Sequence, residues 1–295
     1  MELLLEIAAF ACVDGGATGC ALSSVSRYIR SAVEPARYQS ISLRGMKKVL
    51  HFADRLQNME QLPRVENLLL SALGAPYIHC RATKNLLSNL PEPDKTAVVQ
   101  ACTIILARLA PTLRTLFLYD EAPFCISDAT INFPRLQDLS IACPSTASHL
   151  VSHGIYPSLR RLHVSNTRTF DFTELWISLA DGASSLTHLR LSGVRQDTQL
   201  PRFLRKLVSG QSPDAADPQT GNTQPDAEAD AEEVEGIAAR LQNLKHVYVQ
   251  PALATTIDWA SAPRQNHSAM MKALRELARE TAGGAGGGQI GRAHV

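Results

Sequence analysis

The chain lacks every compact catalytic signature. It contains no GxSxG, no HExxH and no phosphate loop with its Lys, so the common hydrolase, zinc-protease and nucleotide-binding chemistries are not indicated. The run Asp14-Gly-Gly-Ala-Thr-Gly19 has glycines but neither that Lys nor an apolar strand before it, and reads as a turn between helices. The six Cys, at 12, 20, 80, 102, 125 and 143, form no CxxC pair, so they are expected to be free, buried thiols. No apolar run reaches transmembrane length and no secretory leader is recognisable. The expectation is a cytoplasmic or nuclear protein that engages no membrane. His149 and His153 stand four apart, a spacing that can hold zinc. No third ligand has a defined position near them, so no metal and no cofactor is expected, and no enzyme.

Strong net charge is also absent. The formal net charge is +1, too weak and too scattered to argue for nucleic acid. The distribution is uneven, however. Residues 209–239 hold eight acids and no Lys or Arg. The stretch 209–236 within it is rich in Pro, Asp, Glu and Gln. Such a segment cannot bury enough apolar surface to offset the entropy of ordering and is expected to be a disordered, solvated insert.

What the chain does have is a recurring phrase: apolar, two residues, apolar, one residue, apolar. Clear copies start at Leu113, Leu136, Leu159, Leu186 and Leu244, and looser ones at Tyr38 and Val65. Successive starts from 113 are 23, 23 and 27 residues apart. Side chains alternate across a strand, so the second and third apolar letters of each copy should share a face. One strand cannot bury that face alone, and copies must stack into a parallel sheet. Pro63, Pro111, Pro134 and Pro157 each precede a copy by two positions. They mark where a helical return ends and a strand begins. A fixed period in this range reads as a leucine-rich repeat, so the fold class expected is α/β: an irregular repeat solenoid with a parallel sheet and helical returns. The step from 65 to 113 is 48 residues, which leaves open a decayed repeat or an insertion. The step from 186 to 244 contains the acidic segment.

Helical spacing fills the intervals. Residues 2–12 read as one helix and 21–32 as a second, with Leu22, Val25, Ile29 and Val33 on one side. Residues 46–59, 94–110, 145–155, 171–179 and 201–208 read as further helices, and 251–265 as a loop. The stretch 268–281 reads as a terminal helix with Met271, Leu274 and Leu277 on one face. The glycine run at 283–288 should end regular structure, and Ile290-Gly-Arg-Ala-His-Val295 reads like a translated sequencing adapter.

Glu2-Leu-Leu-Leu-Glu-Ile7, a break, then Leu22-Ser-Ser-Val-Ser-Arg-Tyr28 resembles the F-box motif. In particular it resembles fungal F-box proteins whose degenerate leucine-rich repeats follow directly. That family carries Leu-Pro before the acidic residue. Here Met1 takes that place, which suggests a truncated N-terminus. The resemblance implies an F-box-like segment over 1–36, a repeat domain over 37–281 and a disordered tail over 282–295. It implies a Skp-family adaptor and a cullin–RING ubiquitin ligase as partners, with Leu3, Leu4, Ile7, Leu22, Val25, Ser26 and Tyr28 facing the adaptor. The chain would then be a substrate receptor. A repeat scaffold with no ligase role, its first helices serving only as a cap, is the alternative.

The outward strand letters are the candidate surface for a target protein. One row would hold Asp138, Arg161, His188 and His246. The next would hold Phe117, His163, Arg190 and Tyr248. Aromatic and Arg residues in stacked rows match the composition of protein-binding surfaces. Asp138 and Arg161 are expected to be cross-strand neighbours.

Overall fold

The computed structural model describes residues 2–72, 91–119, 131–142, 154–165, 172–194, 200–201, 204–205, 241, 243–252, 268–277 and 279. They form an α/β protein with seven parallel sheet strands. The chain divides into two units, Met1–Leu159 and Arg160–Val295.

The first unit opens with three helices, α1 (Glu2–Ala11), α2 (Ala17–Val25) and α3 (Arg27–Arg37). The single helix expected over 21–32 is therefore two. The apolar spacing runs smoothly across the break, but Ser26 leaves the helical conformation and its side chain accepts a hydrogen bond from the Ile29 amide. A Ser hydroxyl competes for backbone amides and so starts a helix better than it continues one. Arg30 closes the junction by donating through Nε to the Ser23 carbonyl at 2.7 Å. The Gly-rich break is also shorter than expected, because α2 already begins at Ala17. The three helices share a small core of Ala8, Cys12, Val33 and Ala36, with Leu5, Ala9, Leu22 and Ile29 packed against it.

There follow β1 (Ser40–Arg44), α4 (Met46–Gln57), β2 (Asn67–Ser71), α5 (Glu92–Leu109), β3 (Thr115–Leu118), β4 (Ile131–Asn132), β5 (Asp138–Ile141) and β6 (Gly154–Ile155). Strands β1, β2, β3 and β5 pair in that order, all parallel. The register aligns Ile41, Leu68, Leu116 and Leu139 in one row and Leu43, Leu70, Leu118 and Ile141 in the next. Every one of these is buried, as the alternation requires. Val49, Ala53 and Leu56 of α4 and Val98, Cys102, Ile105 and Leu109 of α5 are also buried. Arg108 ties the two helices by donating to the Leu56 carbonyl at 3.1 Å. Pro93 in the first turn of α5 sacrifices no helical hydrogen bond, and Glu92 and Asp94 there complement the helix dipole.

Strands β4 and β6 pair with each other. Each ends beside an aromatic residue, Phe133 and Tyr156, whose rings stack at 5.4 Å. Both precede a copy of the phrase, so the backbone before Pro134 and Pro157 is extended. This corrects the helical return expected up to Ile155. The rest of that return, 145–153, lies outside the described residues, as do His149 and His153.

The second unit holds β7 (Arg161–Ser165), α6 (Phe172–Gly182), β8 (His188–Val194) and β9 (His246–Pro251). The three strands are parallel, in the order β7-β8-β9. Leu162, Leu189 and Val247 form one buried row, and Val164, Leu191 and Val249 the other. Trp176 and Leu179 of α6 are buried as well. Helix is described over 268–277, and its buried residues are Met270, Leu274 and Leu277. Leu274 and Leu277 lie on the expected face, but Met271 is partly exposed and Met270 takes its place. Two adjacent Met make either choice compatible with the pattern. Pro251 closes β9 and is not yet in a loop.

One backbone device recurs at the start of five copies. A single carbonyl, at the letter after the first apolar residue, accepts two consecutive amides of the next copy. Gln39 O takes Glu66 and Asn67, Glu66 O takes Arg114 and Thr115, and Arg114 O takes Gln137 and Asp138. In the second unit Arg160 O takes Thr187 and His188, and Thr187 O takes Lys245 and His246. All ten distances fall between 2.8 and 3.0 Å. The device is unchanged across the 48-residue step, where β2 pairs directly with β3. No sheet strand stands between β2 and β3. The same holds where β8 pairs with β9 across the interval that contains 209–236. That acidic segment, the tail 282–295 and most of 201–208 lie outside the described residues.

Candidate functional site

Two surfaces carry the residues singled out in the sequence. The first is on the N-terminal helices. In α1 the core-facing positions are the small Ala8 and, just beyond the helix, Cys12, both buried. Burial pushes the Cys12 thiol up, with Asp14 and then Cys20 adding to it, so the thiol is a packing group. Cys102 is buried too, but Cys20 is exposed, against the expectation that the thiols are buried. Leu5 packs against that core, whereas three other large apolar side chains of α1 stand outside. Leu3 is 72% exposed, Ile7 56% and Phe10 84%. They fall at i, i+4 and i+7, one stripe of the helix. Val13, Val25 and Tyr28 are exposed as well.

Of the seven adaptor-facing candidates, Leu3, Ile7, Val25, Ser26 and Tyr28 are exposed and Leu4 is half-buried. Leu22 packs against the helical core, and the Ser26 hydroxyl caps α3. Phe10 and Val13 were missed by sequence reasoning. The signal was Phe10 at three residues from Ile7 on a helix already assigned.

The turn after α1 docks on the sheet. Gly15 donates its amide to Ser40 Oγ at 3.1 Å, and its carbonyl accepts the Ser42 amide at 3.1 Å. Gly15 has φ of +78°, and a Cβ there would lie 2.8 Å from Ser42 Cβ. Only glycine fits both the left-handed backbone and the close approach. Asp14 caps the next turn: its carboxylate accepts the Thr18 hydroxyl and amide, which holds it below the usual carboxylate range. Gly19 lets α2 lie against the end of α3, because a Cβ there would meet Arg37 O at 2.8 Å.

The second surface is the outward side of the strands. In the first unit Thr115 sits beside Asn67 and Asp138, and Phe117 beside Leu69 and Ser140. Phe117 also stacks on Tyr119 at 6.0 Å. In the second unit the register places Arg161, His188 and His246 in one row and His163, Arg190 and Tyr248 in the next. The rows match those expected within each unit. The expected pairing of Asp138 with Arg161 would join residues of different units.

Hydrogen bonds join side chains across the second unit's face. Ser192 Oγ donates to Gln250 Oε1 at 3.3 Å, so it accepts from His163 Nε2 at 3.0 Å. Arg190 Nη2 donates to the same Gln250 oxygen at 3.2 Å. Thr187 Oγ1 donates to the Arg160 carbonyl and so accepts from His188 Nδ1 at 2.8 Å. The His188 ring stacks on His246 at 4.5 Å between centroids. Burial, and then the Arg190 guanidinium, holds the His163 imidazole below its ordinary value. Burial does the same for His188, followed by the neighbouring His246, Arg161 and Lys245.

Among the described residues no group of three or more His, Cys, Asp or Glu could hold a metal ion. No described helix is long and apolar enough to cross a membrane. No protein-family model and no curated protein matches this chain.

Proposed function

We propose that this chain is a substrate-receptor subunit of a Skp–cullin–F-box type ubiquitin ligase. In this reading the N-terminal helices engage a Skp-family adaptor, the strands belong to degenerate leucine-rich repeats, and the outward strand face presents a target protein. The ubiquitin chemistry resides in other subunits. The observation that supports it is the second apolar stripe of α1: Ala8, Cys12 and Leu5 face the core, while Leu3, Ile7 and Phe10 stand outside. A helix that served only to cap the sheet would gain more by turning its large side chains inward. Each fully buried aliphatic or Phe side chain contributes about 1.5–3 kcal/mol. Contiguous exposed apolar surface of this kind marks a partner site.

The Gly15 contacts with Ser40 and Ser42 favour a second role for the same helices. They cover the edge strand β1, which would otherwise offer unpaired backbone to another chain. The alternative of a repeat scaffold without ligase function rests on that role alone. Co-purification separates the two. The full chain, expressed with a Skp-family adaptor, is expected to retain it through size exclusion. A chain that folds and retains no adaptor supports the scaffold reading.

A further inference from the structure

We propose that the outward face of β7, β8 and β9 docks a carboxylate-rich extended segment of a partner protein. The inference rests on the reading of this face as the target surface and names the chemistry of the target. The nine outward positions of the three strands contain two Arg and three His and no acid. Lys245 stands immediately before β9, and the Arg190 and Lys245 side chains form no ion pair among the described residues. In the first unit the outward positions hold the acid Asp138 and a single cation, Arg44, among neutral residues such as Leu69 and Phe117, so the acid-free cluster of Arg and His belongs to the second unit.

The face is also preorganised. Gln250 holds Arg190 at one nitrogen, which leaves a guanidinium fixed in place with further N–H groups for a carboxylate. Ser192 and Thr187 orient the His163 and His188 rings. Crossing from β7 to β9 covers about 10 Å, the reach of about three extended residues. A short acidic stretch therefore satisfies the face. Nucleic acid does not, because Arg161, Arg190 and Lys245 could neutralise only about three phosphates, too few for firm binding at physiological salt.

The test is fluorescence anisotropy with the full chain and a labelled peptide of alternating Asp and Glu. The same peptide with Asn and Gln is the comparison. The acidic peptide is expected to bind and the amide peptide is not. Arg190→Gln and Lys245→Gln should each weaken binding about three- to five-fold, the effect of losing one exposed charge pair. Lys47→Gln, on the exposed side of α4, should change nothing. Equal binding of the amide peptide, or full binding by both variants, overturns the proposal. So does tighter binding of a single-stranded oligonucleotide. Adaptor capture is measured on the same preparations, so failure there counts against the ligase reading and not against this face.

Discussion

The Ser42 amide donates to the Gly15 carbonyl at 3.1 Å, and no side chain fits at Gly15 because Ser42 Cβ would lie 2.8 Å from its Cβ. This contact fastens the helical segment to strand β1. Gly15→Ala adds a left-handed backbone cost of about 1–2 kcal/mol and a steric clash. Urea unfolding should show a loss of roughly 2 kcal/mol, larger than for Gly16→Ala, where φ is +100° but a Cβ would meet only Ser40 O at 3.4 Å.

Ser26 divides what periodicity alone presents as one helix. Ser26→Ala removes the cap and should cost about 1 kcal/mol, whereas Ser26→Asp should preserve stability. Thermal melts of the two variants check this. Equal melting of Ser26→Ala and the parent chain would mean that the hydroxyl contributes no capping energy.

The strand register predicts opposite outcomes for neighbours. Leu116 is fully buried, and Leu116→Ala should cost about 2–5 kcal/mol. Phe117 faces outward and, among the described residues, stacks on Tyr119, so Phe117→Ala should cost about 1 kcal/mol. Denaturant midpoints of the two variants measure the difference directly.

These strands were the most legible part of the chain. Their phrase encodes a period-two pattern, and burial enforces it at every copy. The junction carbonyls were not legible, because a backbone hydrogen bond leaves no mark on residue identity. The α2–α3 break hid behind continuous apolar spacing. Helix α1 was legible as a helix but not in its orientation, since both its faces are apolar. The choice of Ala8 for the inside follows from the close packing of α1 on α3 beside Val33 and Ala36. Extended backbone at Ile131 and Gly154 was missed because two-residue strands carry too few letters to show a period. Of the candidate site, the outward rows could be read from alternation, but the hydrogen bonds of Ser192 and Thr187 depend on side chains one strand away or adjacent in sequence.

The His163 imidazole is held below its ordinary value in the folded chain. The unfolded state therefore takes up a proton at higher pH than the folded state does. Stability from this source is fully present above the unfolded value of about 6.5 and is lost as pH falls through the folded value. Urea midpoints taken from about pH 7.5 down to pH 5 should fall. His163→Gln should flatten part of that fall, and an unchanged slope would show that other groups govern it.

The central claim is that the outer stripe of α1 is a partner surface while its inner stripe holds the fold. Paired charge substitutions on the two stripes, each scored for adaptor capture and for the melting temperature, test it most directly. Ile7→Glu should melt like the parent chain and lose the Skp-family adaptor, whereas Ala8→Glu should melt earlier. Capture of the adaptor by Ile7→Glu at the parent level, or unfolding of that variant, would contradict the account.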